Sequence, residues 1–193
     1  MLKLTWTALR ILVVFTLLTG LLYPLAVTGL AQVVFPTQAN GSVVNVGGKP
    51  AGSSLIGQAF TADKYLWSRP SATAPFAYNA AASTGSNLGP SNPALADAVK
   101  ARVATLRKAD PTNTAPVPTD LVTTSGSGLD PHVSTAAAAF QVQRIANARH
   151  VPAADVQQAI AACTQAPFLG MIGPARVHVL CVNLALDHKV VSP

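Results

Sequence analysis

The sequence predicts a single N-terminal transmembrane helix joined to a mixed α/β (α+β) extracytoplasmic domain. Three observations carry that reading. Residues Ile11 to Phe35 hold no charged side chain, and 18 of those 25 positions are hydrophobic, where a bilayer crossing needs about 20 apolar residues. Beyond Phe35 the composition is that of an ordinary globular domain, long enough to bury a core. That remainder alternates short Val-rich runs with stretches of helical period, separated by Gly, Pro, Ser and Asn, as strands mixed with helices require.

The apolar segment comes first. Lys3 and Arg10 precede it and the next charge is Lys49, so the positive-inside rule puts residues 1–10 in the cytoplasm, 11–35 in the membrane and 36–193 outside. Tyr23-Pro24 lies deep enough in the run to predict a kink. A cleaved signal peptide shares the basic start, with Gly29-Leu30-Ala31 as a cleavage site, but a 25-residue run exceeds the usual signal core of about 7–15. A buried core helix would carry a polar stripe, and this segment has none. Gly20, Ala26 and Gly29 supply the small side chains through which membrane helices pack closely on one another.

Ser42 to Val46 and Leu55 to Gly57 read as short strands around a Gly47-Gly48-Lys49-Pro50 turn, a hairpin-like start. Residues 68–93 form a long Ser, Asn, Gly and Pro segment, and loops of that length in compact domains are functional or disordered. At its end Asn92 is the N-cap and Pro93 the first residue of a helix to about Lys108. Leu95, Val99, Val103 and Leu106 share one face of it, and Arg107-Lys108 suit its dipole. Pro111 to Pro118 reads as an extended link, and Ser125 to Pro131 as a turn. A second helix runs from Ser134 to about His150, with Ala136, Phe140, Gln143 and Asn147 in a stripe beside Ala137 and Arg144. Val151-Pro152 ends it, and a third helix reaches about Thr164 with Val156, Ile160 and Cys163 inward. Arg176 to Asp187 reads as a buried strand.

The chemistry that the composition excludes is broad. The chain carries a net charge of +6, but its 13 basic residues are scattered, with Arg107-Lys108 the only adjacent pair and no interleaved aromatics, so no nucleic-acid groove is encoded. Gly48-Lys49 is no phosphate loop, because Val43 stands where the first glycine belongs and Pro50 follows the lysine. No Gly-x-Ser-x-Gly elbow exists. His132, His150, His178 and His188 are too dispersed for a metal pair. All seven acids are Asp, none close to another in sequence, which leaves no paired-carboxylate site. Cys163 and Cys181 lie on the side where disulfides persist, yet each also fits its own apolar face as a small hydrophobe. The sequence leaves both readings open.

The loop motifs together resemble a known family. Tyr23-Pro24-Leu25, Gln38 to Ser42, Leu55-Ile56-Gly57-Gln58, Arg69 to Thr73, Tyr78-Asn79, Gly85 to Leu88 and Ser91-Asn92-Pro93 closely resemble KdpC, the C-subunit family of the bacterial Kdp potassium-transporting P-type ATPases. Leu121-Val122-Thr123, Ser127 to Asp130, Arg144, Ala148-Arg149 and Asn183 to Asp187 extend the likeness in order over nearly the whole chain. The resemblance implies an accessory subunit, not an enzyme on its own, with an uncleaved membrane helix. It implies assembly with a potassium-channel-like subunit, an ATP-hydrolysing P-type subunit and a small single-helix subunit, to which ATP, magnesium and potassium belong. The family is described as a catalytic chaperone that raises the hydrolysing subunit's ATP affinity. Nucleotide is cytoplasmic and nearly all of this chain is expected outside, so assembly or control at the outer potassium entrance is the favoured reading. The cysteine pair is not part of the family pattern, and a bridge would be peculiar to this sequence. The alternative from another class is a free-standing anchored or secreted binding protein or enzyme of the cell envelope.

Candidate partner-binding residues follow from those motifs: Arg69, Pro70, Ser71, Tyr78, Asn79, Ser86, Asn87, Arg144 and Arg149. Each has a local alternative. Arg69 either docks on the channel subunit as a directional donor or ties its own loop to a carbonyl or to Asp63. Gly85-Ser86-Asn87 is better read as a turn capping the next helix than as a phosphate nest. Asp130 fits an Asp-Pro turn better than a cation ligand. Arg144 and Arg149 form ion pairs or a subunit contact, or else lie on a solvated helix face.

Overall fold

A computed structural model describes residues 1–188 and 191–192; residues 189–190 and 193 of the expected outer domain lie outside the described part. The chain divides into two compact units, Met1–Val43 and Val44 onward.

The first unit is built on one long helix, α1, Leu2–Val34, the one helix among the described residues that is long and apolar enough to cross a membrane. It begins nine residues before the uncharged run. Inside it the segment Leu18–Leu22 is wound as a π-helix, and regular α-helix resumes at Tyr23. The cause is Pro24: it has no N–H to donate to residue 20 and its ring crowds that carbonyl. One wider turn just upstream absorbs the misfit. The Tyr23-Pro24 kink is thus an adjustment of winding. A short helix α2, Pro36–Ala39, follows, and the Asn40 side-chain amide donates to Gln32 at 3.0 Å and to the Pro36 carbonyl at 2.7 Å.

The second unit mixes strands and helices. Strands β1, Val43–Val46, and β2, Lys49–Ser53, are joined by Gly47 and Gly48, both at positive φ (57° and 76°), as a two-residue type I′ hairpin turn demands. The second strand is therefore Lys49–Ser53, earlier than the expected Leu55-Ile56-Gly57 run. Pro50 is tolerated there because β2 lies at a sheet edge. Helix α3, Pro93–Ala109, is capped by Asn92, whose side chain accepts from the Ala94 N–H at 3.0 Å. Its Val99, Val103 and Leu106 face the core as the periodicity predicts.

Strand β3, His132–Ser134, leads into α4, Thr135–Phe140, and α5, Val142–Arg149. The expected single helix is broken at Gln141, and of its expected stripe Ala137 and Arg144 are buried and Phe140 packs on the core. Ala137, Ala138, Gln141, Val142, Ile145 and Ala146 are buried, whereas Ala136, Gln143 and Asn147 are exposed. The Ala-rich pattern admits either face, and packing against segment 65–67 selects the one with Ile145. His150 ends α5 in the left-handed conformation, φ 57°, as helix C-caps favour.

Helix α6, Ala153–Ala162, buries Val156 and is followed by the short strand β4, Thr164–Gln165. Strand β5, Arg176–His178, pairs antiparallel with both β3 and β4, with Val177 opposite Val133 and Thr164. The expected long strand stops at His178, and α7, Val179–Leu186, continues the chain. The His178 ring nitrogen Nδ1 accepts from the Cys181 N–H at 3.1 Å and caps that helix. Every residue of α7 except Cys181 and Ala185 is buried, so its sequence is apolar all round and carries no period to separate helix from strand. Strand β6, Val191–Ser192, pairs with β1. The core is formed by Leu66, Leu106, Leu121, Val133, Ile145, Val156, Val177 and Val182 with their neighbours. Cys163 and Cys181 are bridged, joining the end of α6 to the first turn of α7.

Candidate functional site

The motif loops fold onto one another through their own polar groups. The Arg69 guanidinium donates from Nη1 to Asp130 Oδ2 at 3.2 Å and from Nη2 to the Thr124 carbonyl at 3.2 Å. Asp63, the expected acidic partner, is not the one used. The Tyr78 hydroxyl donates to the Arg69 carbonyl. Ser71 Oγ donates to the Gly128 carbonyl at 2.7 Å and accepts from the Tyr78 N–H at 3.0 Å. Asn79 closes the local turn by donating to the Ala74 carbonyl at 2.9 Å and accepting from the Ala81 N–H. Pro70 lies half-buried between these anchors.

Two glycines make the close approach possible. A Cβ on Gly57 would stand 2.4 Å from the Tyr78 ring and 2.6 Å from the Asp130 carbonyl oxygen. One on Gly128, at φ 67°, would stand 2.6 Å from the Thr84 carbonyl oxygen. Asp130 also accepts from the His132 N–H at 3.0 Å, as an Asp-Pro turn does. Ser86 and Asn87 lie exposed at the outer end of this fabric, Asn87 at φ 52°. The cap of α3 is Asn92, so the 85–87 turn does not cap that helix.

A second constellation clamps the extended segment 63–67. Arg144 is only 5% exposed. Its guanidinium donates to the Asp63 carbonyl, to the Tyr65 carbonyl at 3.1 Å and to Gln141 Oε1 at 2.6 Å, and lies 4.0 Å from the Trp67 ring centroid. Burial pulls its pKa down to about 10, against the opposing pull of Asp63 and Asp110. Arg149 donates to the carbonyls of Lys64 (2.6 Å) and Leu186 (2.8 Å) and to Asp187 Oδ1 (2.8 Å). The Tyr65 hydroxyl donates to the other Asp187 oxygen at 3.0 Å. Neither arginine lies on a solvated helix face. Both are held by the domain's own carbonyls, because a buried guanidinium needs all its donors satisfied.

Sequence reasoning missed the two amides that complete this clamp. Asn183 accepts from the Leu66 N–H at 2.7 Å and donates to the Leu66 carbonyl at 3.0 Å. Gln141 does the same for Trp67, at 2.9 and 3.2 Å. Two side chains thus replace a missing strand partner. The only signal for Asn183 was that it is the one amide in the apolar run Val179–Leu186, and Gln141 carried none that set it apart from Gln143.

A third cluster pairs His132 with His178, edge to face with centroids 5.2 Å apart. His178 Nε2 lies 2.8 Å from the Ser54 carbonyl, and His132 Nδ1 lies 3.5 Å from Asp130. Burial first, then the neighbouring His178 and Arg176, lowers the His132 pKa. No group of three or more His, Cys, Asp or Glu able to hold a metal occurs among the described residues. Along α1, Ala26 and Gly29 are three apart and share a face, while Gly20 lies in the π-wound turn.

The KdpC family model, described as K+-transporting ATPase, c chain, matches residues 5–188. The chain is 61% identical over 180 residues to the potassium-transporting ATPase KdpC subunit of Polaromonas naphthalenivorans, covering 93% of this chain and 92% of that one. It is 59% identical to that of Ralstonia nicotianae over 93% of this chain and 88% of the relative, and 57% identical to that of Methylococcus capsulatus over 93% and 95%. The apolar helix, the knitted loops and the arginine clamp therefore belong to a member of the KdpC family, the c chain of K+-transporting ATPases.

Proposed function

We propose that this chain is the non-catalytic accessory subunit of a high-affinity, ATP-driven potassium-uptake complex. It stabilises the assembly of the channel-like subunit, the ATP-hydrolysing P-type subunit and the small single-helix subunit, and acts as a catalytic chaperone that raises the hydrolysing subunit's affinity for ATP. Helix α1 crosses the cell membrane once with its N-terminus in the cytoplasm, and the second unit lies outside. ATP, magnesium and potassium are bound by the partners.

The observation that carries this reading is the family match from residue 5 to 188, which takes in both the apolar helix and the folded unit. The geometry supports a helper. Its arginines are spent inside the domain on holding loops still, which gives a rigid docking body. In this reading Arg69, Pro70, Ser71, Tyr78 and Asn79 position the loop, and the exposed Ser86 and Asn87 meet the partner. Arg144 and Arg149 act from beneath by fixing segment 63–67. On the membrane side Gly20, Ala26 and Gly29 let α1 approach a neighbouring helix closely.

The test is purification of the pump from potassium-starved membranes with and without this chain. Complexes lacking it are expected to fall apart in detergent or to need a higher ATP concentration for half-maximal hydrolysis. Recovery of this chain free of the two large subunits, or as a mature form beginning near Gln32, overturns the proposal in favour of a free-standing envelope protein.

A further inference from the structure

Between β4 and β5 the chain forms a small hairpin whose tip is entirely apolar. Phe168, Leu169, Met171 and Ile172 are 69%, 73%, 83% and 61% exposed, the largest such group in the second unit among the described residues. Exposed apolar groups contiguous on this scale mark an interaction site. No charged residue occurs from Val156 to Ala175.

The tip is closed by its own backbone hydrogen bonds. Phe168 and Ile172 exchange N–H to carbonyl hydrogen bonds at 2.9 Å in both directions, the Gly170 N–H donates to the Pro167 carbonyl at 3.0 Å and the Met171 N–H to the Phe168 carbonyl at 3.2 Å. Gly170 and Gly173 take the positive φ values, 73° and 82°, that so tight a turn requires. At the base the Cys163–Cys181 bridge closes the segment that contains the hairpin, so the tip is held in shape from behind. Arg176 flanks it, its Nε donating to Gln165 Oε1 at 2.9 Å.

We infer that this hairpin inserts its apolar tip into the lipid bilayer surface, as a second and shallow anchor. The inference rests on the membrane crossing proposed for α1. Eight residues separate α1 from β1, and at about 3.5 Å each they span at most roughly 30 Å, so the bilayer is the apolar phase within the unit's reach. An interfacial site needs apolar side chains and a neighbouring cation for headgroups, and at that shallow depth turn carbonyls still meet water and headgroups; the tip has both the apolar side chains and the cation. A protein-docking surface of standard kind carries hydrogen-bonding side chains around its apolar centre; between Pro167 and Gly173 there are none.

The full chain, reconstituted into phosphatidylcholine and phosphatidylglycerol vesicles with or without brominated acyl chains, tests this through added tryptophan emission relative to the unsubstituted protein. Met171→Trp reports the tip, Ser91→Trp an exposed turn and Tyr23→Trp the middle of α1. The M171W emission is expected to be quenched by brominated lipid and, as interfacial burial implies, to be roughly threefold less accessible to aqueous iodide than that of S91W. Adding Leu169→Asp should return it to the behaviour of S91W. Quenching of Y23W but not of M171W, with M171W open to iodide, overturns the tip insertion alone. Absence of quenching in both removes the membrane crossing itself. Protection of M171W from iodide only in the assembled pump means the tip docks on protein, which also overturns the inference.

Discussion

At the scale of single residues, the buried arginine is the decisive one. Arg144 satisfies two carbonyls of segment 63–67 and the Gln141 amide at once, and removing it leaves the Asp63 and Tyr65 carbonyls without that donor, while Gln141 keeps the Trp67 N–H. Arg144→Ala is expected to cost about 2–4 kcal/mol, as leaving partly buried carbonyls unsatisfied does, measured by denaturant unfolding of the purified protein. Arg144→Lys should recover only part of that, because an ammonium cannot reproduce the planar fork. Arg149, nearer the surface, should cost less. His132 governs the response to acid. Its folded pKa is lowered by burial, so on acidification the unfolded chain takes up a proton first. Stability is therefore complete above the free-histidine value of about 6.5 and declines as pH falls below it. Melting temperatures between pH 7.5 and 5 should show the decline, and His132→Gln should flatten it.

At the scale of elements, two devices keep long loops in place. The Cys163–Cys181 bridge closes a segment with 18 residues of separation, and its loss is expected to destabilise by about 3 kcal/mol on chain-entropy grounds. Comparing denaturation with and without reductant, and against the double Cys→Ala variant, checks it. The knitting of the motif loops depends on glycine. Gly57→Ala forces a Cβ into the Tyr78 ring and the Asp130 carbonyl, and should cost about 1–3 kcal/mol as overpacking does. Loosened protection of the Arg69 to Asn79 amides in hydrogen exchange would register the change. The breaks within the helical elements have local causes of the same kind: Pro24 widens a turn of α1, and Gln141 leaves the helix line to bind Trp67.

At the scale of the whole molecule, an apolar helix is joined to a separately compact α/β unit, and the proposed role divides between them. A chain lacking residues 1–35 is expected to lose most of its co-purification with the pump subunits while keeping its fold. Full assembly by the truncated chain would leave α1 as a tether only. The outline of this architecture was legible in sequence because an uncharged apolar run and helix capping are local signals. Ile11 to Phe35 announces a long apolar helix by lacking charge, and Asn92-Pro93 announces a helix start. The family, too, was readable from loop motifs spread along the chain. What the sequence left open was settled by contacts distant in the chain. Val179–Leu186 is a helix because His178 caps it and the core surrounds it, Arg69 serves Asp130, Arg144 and Asn183 hold segment 63–67, and Cys163 meets Cys181. An apolar run without period, an arginine and a lone amide each have several local solutions of similar energy. Only the tertiary structure chooses among them, because the chosen solution is the one that leaves no buried donor or acceptor of the clamp without a partner.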